Sequence, residues 1–242
     1  MKDSPPQMSS RPSRMQIATV DFVVGAQAAR GITVVIDVFR AFSLAAQAFS
    51  QGAAAIIPVG EIAAARQLKA AHPDYLLVGE RQAKPLPGAD CGNSPTQLQR
   101  LDLRGKTIIH TTHAGTQGLV NAIQADEVIT GALVNAAAIA RFIRARDPQT
   151  VTLVRMGHEA RERCDEDDAC AALLAARLRD EQFDAAGIRA RLRQSPNAAR
   201  FFDPQCDWMP QEDFELCTEV DRFDFVLRLD RSQALPVLRR VA

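Results

Sequence analysis

The stretch TVVIDVFRAFSLAAQAFSQG, residues 33–52, opens on a β-branched apolar run, passes through an acid and an arginine, and closes in an alanine-rich segment. A strand over 33–38 followed by a helix over 41–50 is the reading these periods support. An apolar run of this kind, without polar alternation, belongs to a strand covered on both faces, as parallel sheets require. Residues 107–126, TIIHTTHAGTQGLVNAIQAD, repeat the order of strand, polar turn and small-residue helix, each with a further strand soon after. Each unit looks like half of a βαβ crossover.

Outward from these units, strands are expected over 15–24, 55–59, 75–78, 127–130, 150–155 and 223–229. Helices are expected over 61–71, 95–101, 115–124, 134–145 and 165–179. Strands alternating with helices specify an α/β fold: three layers, a largely parallel sheet, and helices on both faces. The repeat leaves open whether the fold comprises two similar α/β halves. A flexible tail over 1–14 and a single domain over 15–242 follow, with a division into two lobes near residue 105 as the alternative.

Composition narrows the function. Of 242 residues, 29 are Lys or Arg and 29 Asp or Glu, so no net field favours nucleic acid or an anionic membrane. Five cysteines, Cys91, Cys164, Cys170, Cys206 and Cys217, form no C-x-x-C pair, so they are expected to be reduced thiols in a cytoplasmic protein. No apolar run reaches the roughly 20 residues of a membrane-spanning helix. Neither nucleic acid nor membrane is an expected partner, and a homodimer is expected on chain size alone.

Ligands of open parallel sheets bind beyond the carboxyl ends of the strands, and those ends are polar here. The first unit delivers Asp37, Arg40 and Ser43; the strand near 75–78 delivers Glu80 and Arg81; the second unit delivers Thr111, Thr112, Gly115 and Thr116. The loop from 79 to 95 carries three Pro and adds Asn93 and Ser94. Taken singly, such residues are more often caps and turns, or in the case of Glu80 and Arg81 a surface ion pair. Together they suit a small anion. Acids 165–168 suit the first turn of a helix, yet four like charges in a row also suit a divalent cation such as Mg²⁺. The histidine spacing at 110 and 113 does not suit zinc, His158 reads as an ordinary loop residue, and the arginine-rich segment 184–208 carries no functional expectation.

The segments VVIDVFRAFS (34–43), GERQAKPLPGADCGNSP (79–95), TTHAGTQG (111–118) and EDDACAA (166–172) together resemble the 2-phosphosulfolactate phosphatase family, and the closing FDFVLRLDR (223–231) is similar as well. The resemblance implies a Mg²⁺-dependent α/β phosphatase that releases phosphate from 2-phosphosulfolactate, a step of coenzyme M synthesis in some organisms. It implicates Asp37, Arg40, Glu80 and Arg81, which are expected to be catalytic, together with Glu166 and Asp167; Asp37 and Glu80, with Glu166 or Asp167, are the expected metal ligands. Ser43, Asn93, Ser94, Thr111, Thr112, Gly115 and Thr116 complete the expected substrate site. The sequence departs from many relatives at TTHAGT, which has one residue more than Thr-Thr-Asn-Gly-Thr, and at Arg155, Met156 and Gly157. Water and Asp37 itself both remain open as the attacking group. A sensor that binds the anion without turnover is the competing expectation; three carboxylate sites around an anion favour the enzyme, because they need a cation to hold it.

Overall fold

The computed structural model describes residues 15–241; the expected tail over 1–14 lies outside them. In chain order the strands are β1 (Gln16–Asp21), β2 (Ile32–Ile36), β3 (Ala55–Pro58), β4 (Leu76–Arg81), β5 (Lys84–Pro85), β6 (Thr107–Thr111), β7 (Glu127–Gly131), β8 (Thr150–Arg155), β9 (Val226–Asp230) and β10 (Val237–Val241). The helices are α1 (Phe22–Ala28), α2 (Ala41–Ser50), α3 (Ile62–Ala71), α4 (Pro95–Leu98), α5 (Gly115–Asn121), α6 (Ala136–Arg146), α7 (Asp165–Arg179), α8 (Ile188–Leu192), α9 (Pro196–Ala199) and α10 (Gln211–Cys217).

All five residues of β2 are buried, because the strand is covered on both sides. Val35 packs in one core with Phe42 and Leu44 of α2 and Leu119 of α5. Val34 and Ile36, with side chains on the opposite face, pack in a second core with Ile139 and Phe142 of α6 and Leu173 and Leu174 of α7. Each such side chain contributes roughly 1.5–3 kcal/mol by leaving water. The architecture is the expected α/β arrangement, a mostly parallel sheet between helical layers.

The ten strands run in the order β1-β8-β2-β7-β9-β10-β3-β6-β4-β5. Two parallel blocks, β1-β8-β2-β7 and β3-β6-β4, flank an antiparallel β9–β10 hairpin. The order is symmetric about that hairpin: β2 corresponds to β6, β7 to β3, and β8 to β4. Residues 32–81 and 107–155 therefore have the same element order, β-α-β-α-β, and each gives strands to both blocks. One correction follows. Neither 33–52 nor 107–126 begins a βαβ crossover onto a neighbouring strand; α2 carries the chain from β2 to the other block, and α5 carries it back from β6 to β7.

Several boundaries also differ from expectation: the helices expected over 95–101 and 115–124 end at Leu98 and Asn121, and β4, expected over 75–78, runs on to Arg81. The strand expected over 15–24 ends at Asp21, where Phe22 takes a φ of 61° and α1 begins; an apolar run alone does not separate strand from buried helix. The strand expected over 223–229 is β9 at Val226–Asp230, and its partner β10 was not anticipated. All five cysteines are free thiols. Among the described residues no helix is long and apolar enough to cross a membrane.

Candidate active site

Three antiparallel pairings separate the blocks, yet the carboxyl ends of β2 and β6 meet. Gly115, at the start of α5, lies so close to Asp37 that an added Cβ would stand 2.7 Å from its Oδ2 and 2.8 Å from the Ala41 Cβ. Only a glycine lets this backbone approach the carboxylate. A narrow cleft of about 490 Å³, its open mouth included, lies at this junction. It is lined by Asp37 and Arg40 after β2, Glu80 on β4, Asn93 on the loop, His113 after β6, His158 and Glu159 after β8, Glu166 on α7, and Arg200.

Asp37 is 7% exposed and accepts a hydrogen bond from the Ala41 N–H at 3.2 Å. Burial raises its pKa well above the ordinary carboxyl range, and the nearby Asp167 and Glu80 charges add to the rise. Glu80 spans two segments, its Oε2 taking the Ala83 N–H at 2.8 Å and its Oε1 the His113 N–H at 2.7 Å. The acidic quartet divides. Asp168 turns outward to Arg155 and Arg163, at 2.9 and 2.7 Å. Glu166 and Asp167 turn inward and are almost wholly buried. Asp167 accepts the backbone N–H groups of Val38 and Gly157, at 2.9 and 2.8 Å, and so ties the ends of β2 and β8 to α7. Glu166 accepts from Asn197 Nδ2 at 3.2 Å through Oε1, while its buried Oε2 has no partner. Burial holds the pKa of both acids up to about 7.

Of the expected residues, then, Asp37, Arg40, Glu80, Asn93 and Glu166 line one cleft, with Asp167 just behind it. The hydroxyls are committed elsewhere. Ser43 donates to the Val38 carbonyl at 2.8 Å, Ser94 to Asp213 at 2.9 Å, and Thr112 and Thr116 bond to each other's backbone and side chain. Thr111 Oγ1 accepts from Arg81 at 2.9 Å.

The expectation that Arg40 and Arg81 face the anion does not match their contacts. Arg40 lines the cleft, but its guanidinium binds Asp213 and the Trp208 carbonyl, both at 2.8 Å, and the Ala83 carbonyl at 3.3 Å. Arg81 lies outside the lining and donates to the carbonyls of Glu80 and Gly60. Sequence reasoning missed Arg200, Asn197 and Asp213, which come from segments without clear periodicity; the only local signal was Ser195-Pro196, a helix-start pair.

A narrow acidic cleft at the carboxyl ends of parallel strands defines an α/β enzyme of small polar ligands. The sequence model described as 2-phosphosulpholactate phosphatase matches residues 18–232, and the chain belongs to that family. A probable 2-phosphosulfolactate phosphatase of Caldanaerobacter subterraneus subsp. tengcongensis is 32% identical over 209 residues, covering 81% of this chain and 86% of its own. Another of Bacillus subtilis (strain 168) is 30% identical over 87% of this chain and 92% of its own. A third, of Carboxydothermus hydrogenoformans, is 44% identical over 110 residues, 46% of this chain and 45% of its own.

Proposed function

We propose that this protein hydrolyses 2-phosphosulfolactate, or a closely similar phosphorylated hydroxyacid, to the hydroxyacid and phosphate, with Mg²⁺ as its cofactor. The observation that carries the reading is the gathering of Asp37, Glu80 and Glu166 on one cleft, with Asp167 against it, and with Glu166 Oε2 buried and unpartnered. Carboxylates desolvated together repel one another, and a bound cation removes that cost.

Among the described residues no three His, Cys, Asp or Glu side chains form a ready metal cage. The donor set nonetheless suits magnesium, which keeps several waters and takes one or two carboxylates. Asp37 and Glu166 would hold the ion. Both oxygens of Glu80 and both of Asp167 already accept backbone N–H groups, so we assign these acids to holding the walls. When bound, the ion would neutralise phosphoryl charge and acidify a water.

The chain's own residues do the rest. Gly115 lets the start of α5 close against Asp37, which fixes the carboxylate between two backbone segments. Asn93 presents an amide to the cleft while His110 Nε2 contacts its Oδ1 at 3.4 Å; burial and Arg81 lower the His110 pKa to about 4, so the ring stays neutral. The low-dielectric walls strengthen each charge-assisted contact to the phosphoryl group. Five free thiols suit a reducing compartment, and we place the reaction in the cytoplasm. The test is phosphate release from 2-phosphosulfolactate and a panel of phosphorylated hydroxyacids, with Mg²⁺ and with chelator. Release that stops on chelation is expected; no release from any substrate would refute the phosphatase reading.

A further inference from the structure

The cleft is rich in acids, yet any substrate of the proposed kind is a polyanion. Two guanidinium groups reach its lining, Arg40 and Arg200. Arg40 is 2% exposed and its charge is matched by the fully buried Asp213 at 2.8 Å. Arg200 differs. Its hydrogen bonds go to Asn197, to the carbonyl at 3.5 Å and to Oδ1 at 3.1 Å, and to no carboxylate. Among the described residues it is the one lining arginine whose charge is not matched by an acid within salt-bridge distance.

Its position is built. Ser195 Oγ caps the turn by accepting the Ala198 N–H at 3.3 Å. Phe201, the next residue, is buried and packs edge-on against Phe39, their ring centres 5.0 Å apart; Phe39 itself lines the cleft. Asn197 bridges the arginine to the acids, since its Oδ1 accepts from Arg200 and its Nδ2 donates to Glu166 Oε1 at 3.2 Å. One short segment therefore orients an uncommitted cation and a cleft carboxylate together.

Resting on the phosphatase reading, we propose that Arg200 is the specificity residue of the site: it pairs with an acid group of the substrate that is not the phosphoryl group being cleaved. The phosphoryl group belongs beside Asp37 and Glu166, where a cation would offset its charge. A sulfonate or carboxylate on the same small molecule needs its own counter-charge, because the remaining cleft acids, Glu80 and Glu159, repel it. Arg200 supplies a planar donor pair suited to such a group.

The experiment compares Arg200→Ala and Arg200→Lys with the unaltered protein on two substrates, 2-phosphosulfolactate and ethyl phosphate, which has no acid group besides the phosphate. Arg200→Ala is expected to lower kcat/KM for 2-phosphosulfolactate on the order of 10- to 100-fold, largely through KM, and at least about 10-fold more than for ethyl phosphate. Arg200→Lys should recover part of the loss. An equal loss on both substrates would overturn the proposal by moving Arg200 to the phosphoryl group, and no loss on either would overturn it outright. If the unaltered protein cleaves neither substrate, the phosphatase reading fails, and Arg200 is judged from binding of sulfolactate, measured calorimetrically. Sulfolactate bound by the unaltered protein but at least 10-fold more weakly by Arg200→Ala upholds the pairing; equal binding, or none, refutes it.

Discussion

Asp213→Ala probes the wall of the cleft most sharply. Asp213 is wholly buried and accepts three hydrogen bonds, from Arg40 at 2.8 Å, Ser94 Oγ at 2.9 Å and the Thr96 N–H at 2.9 Å. Removing the carboxylate leaves a guanidinium that is 2% exposed with no opposing charge. Breaking one side of a buried pair costs about 3–5 kcal/mol. The two other orphaned donors would each cost about 1–3 kcal/mol alone, but neighbours in one network do not add. The expected loss is therefore about 4 kcal/mol or somewhat more, and at about 2–4 °C per kcal/mol for a chain of this size the Tm should fall by roughly 8–16 °C. Urea unfolding at unchanged m-value is the assay. The double replacement Arg40→Met with Asp213→Leu should recover much of the loss, because an apolar pair of similar bulk needs no partner. Asp213→Ala within about 1 kcal/mol of the unaltered protein, or a double variant no better than the single, would refute the reasoning.

Gly115→Ala should fold but lose activity at least on the order of 10-fold, since the new methyl, 2.7 Å from the Asp37 Oδ2, displaces that carboxylate; undiminished turnover would show that Asp37 tolerates the shift. Asp37→Asn and Glu166→Gln should each cut kcat on the order of 100-fold or more while leaving the cation-free Tm equal or higher, because each removes a charge from a desolvated cluster; a lower Tm in both would contradict that view. The pH dependence follows from the same acids. Glu166 and Asp167 have folded pKa values of about 7 against an unfolded range near 4, so the folded protein binds more protons between about pH 4 and 7, and the raised pKa of Asp37 acts in the same direction. Their contribution to stability is full below pH 4 and lost as pH rises through about 7, so melts in chelator should show Tm falling from pH 5 to 8. Mg²⁺ should raise Tm more at pH 8 than at pH 5, and the reverse ordering would contradict the assignment.

The central strands were legible because burial on both faces writes a short, uninterrupted β-branched run, as in Val34, Val35 and Ile36. The helix at 22–28 was not, because Val23 and Val24 continue the apolar run of β1 past the turn at Phe22. Strand β10 carries two arginines in five residues, and its pairing with β9 is set by tertiary context. At the site, Asp37 and Glu80 were legible as acids at the carboxyl ends of strands, but their meeting was not, because the two blocks run in opposite directions across three antiparallel pairings and Glu166 reaches the cleft from α7. The arginines were not legible. Whether a guanidinium is free depends on a partner far along the chain, and Asp213 stands 173 residues from Arg40. Arg200 lay in a segment whose packing rests on Phe201 beneath Phe39, a contact no local period announces.

The most direct test of the acidic cleft is titration with Mn²⁺ as a spectroscopic stand-in for Mg²⁺, followed by electron paramagnetic resonance. One ion per chain is expected, displaced by Mg²⁺, with affinity falling at least 10-fold in both Asp37→Asn and Glu166→Gln. No bound ion in the unaltered protein, or binding unchanged in both variants, would contradict the account.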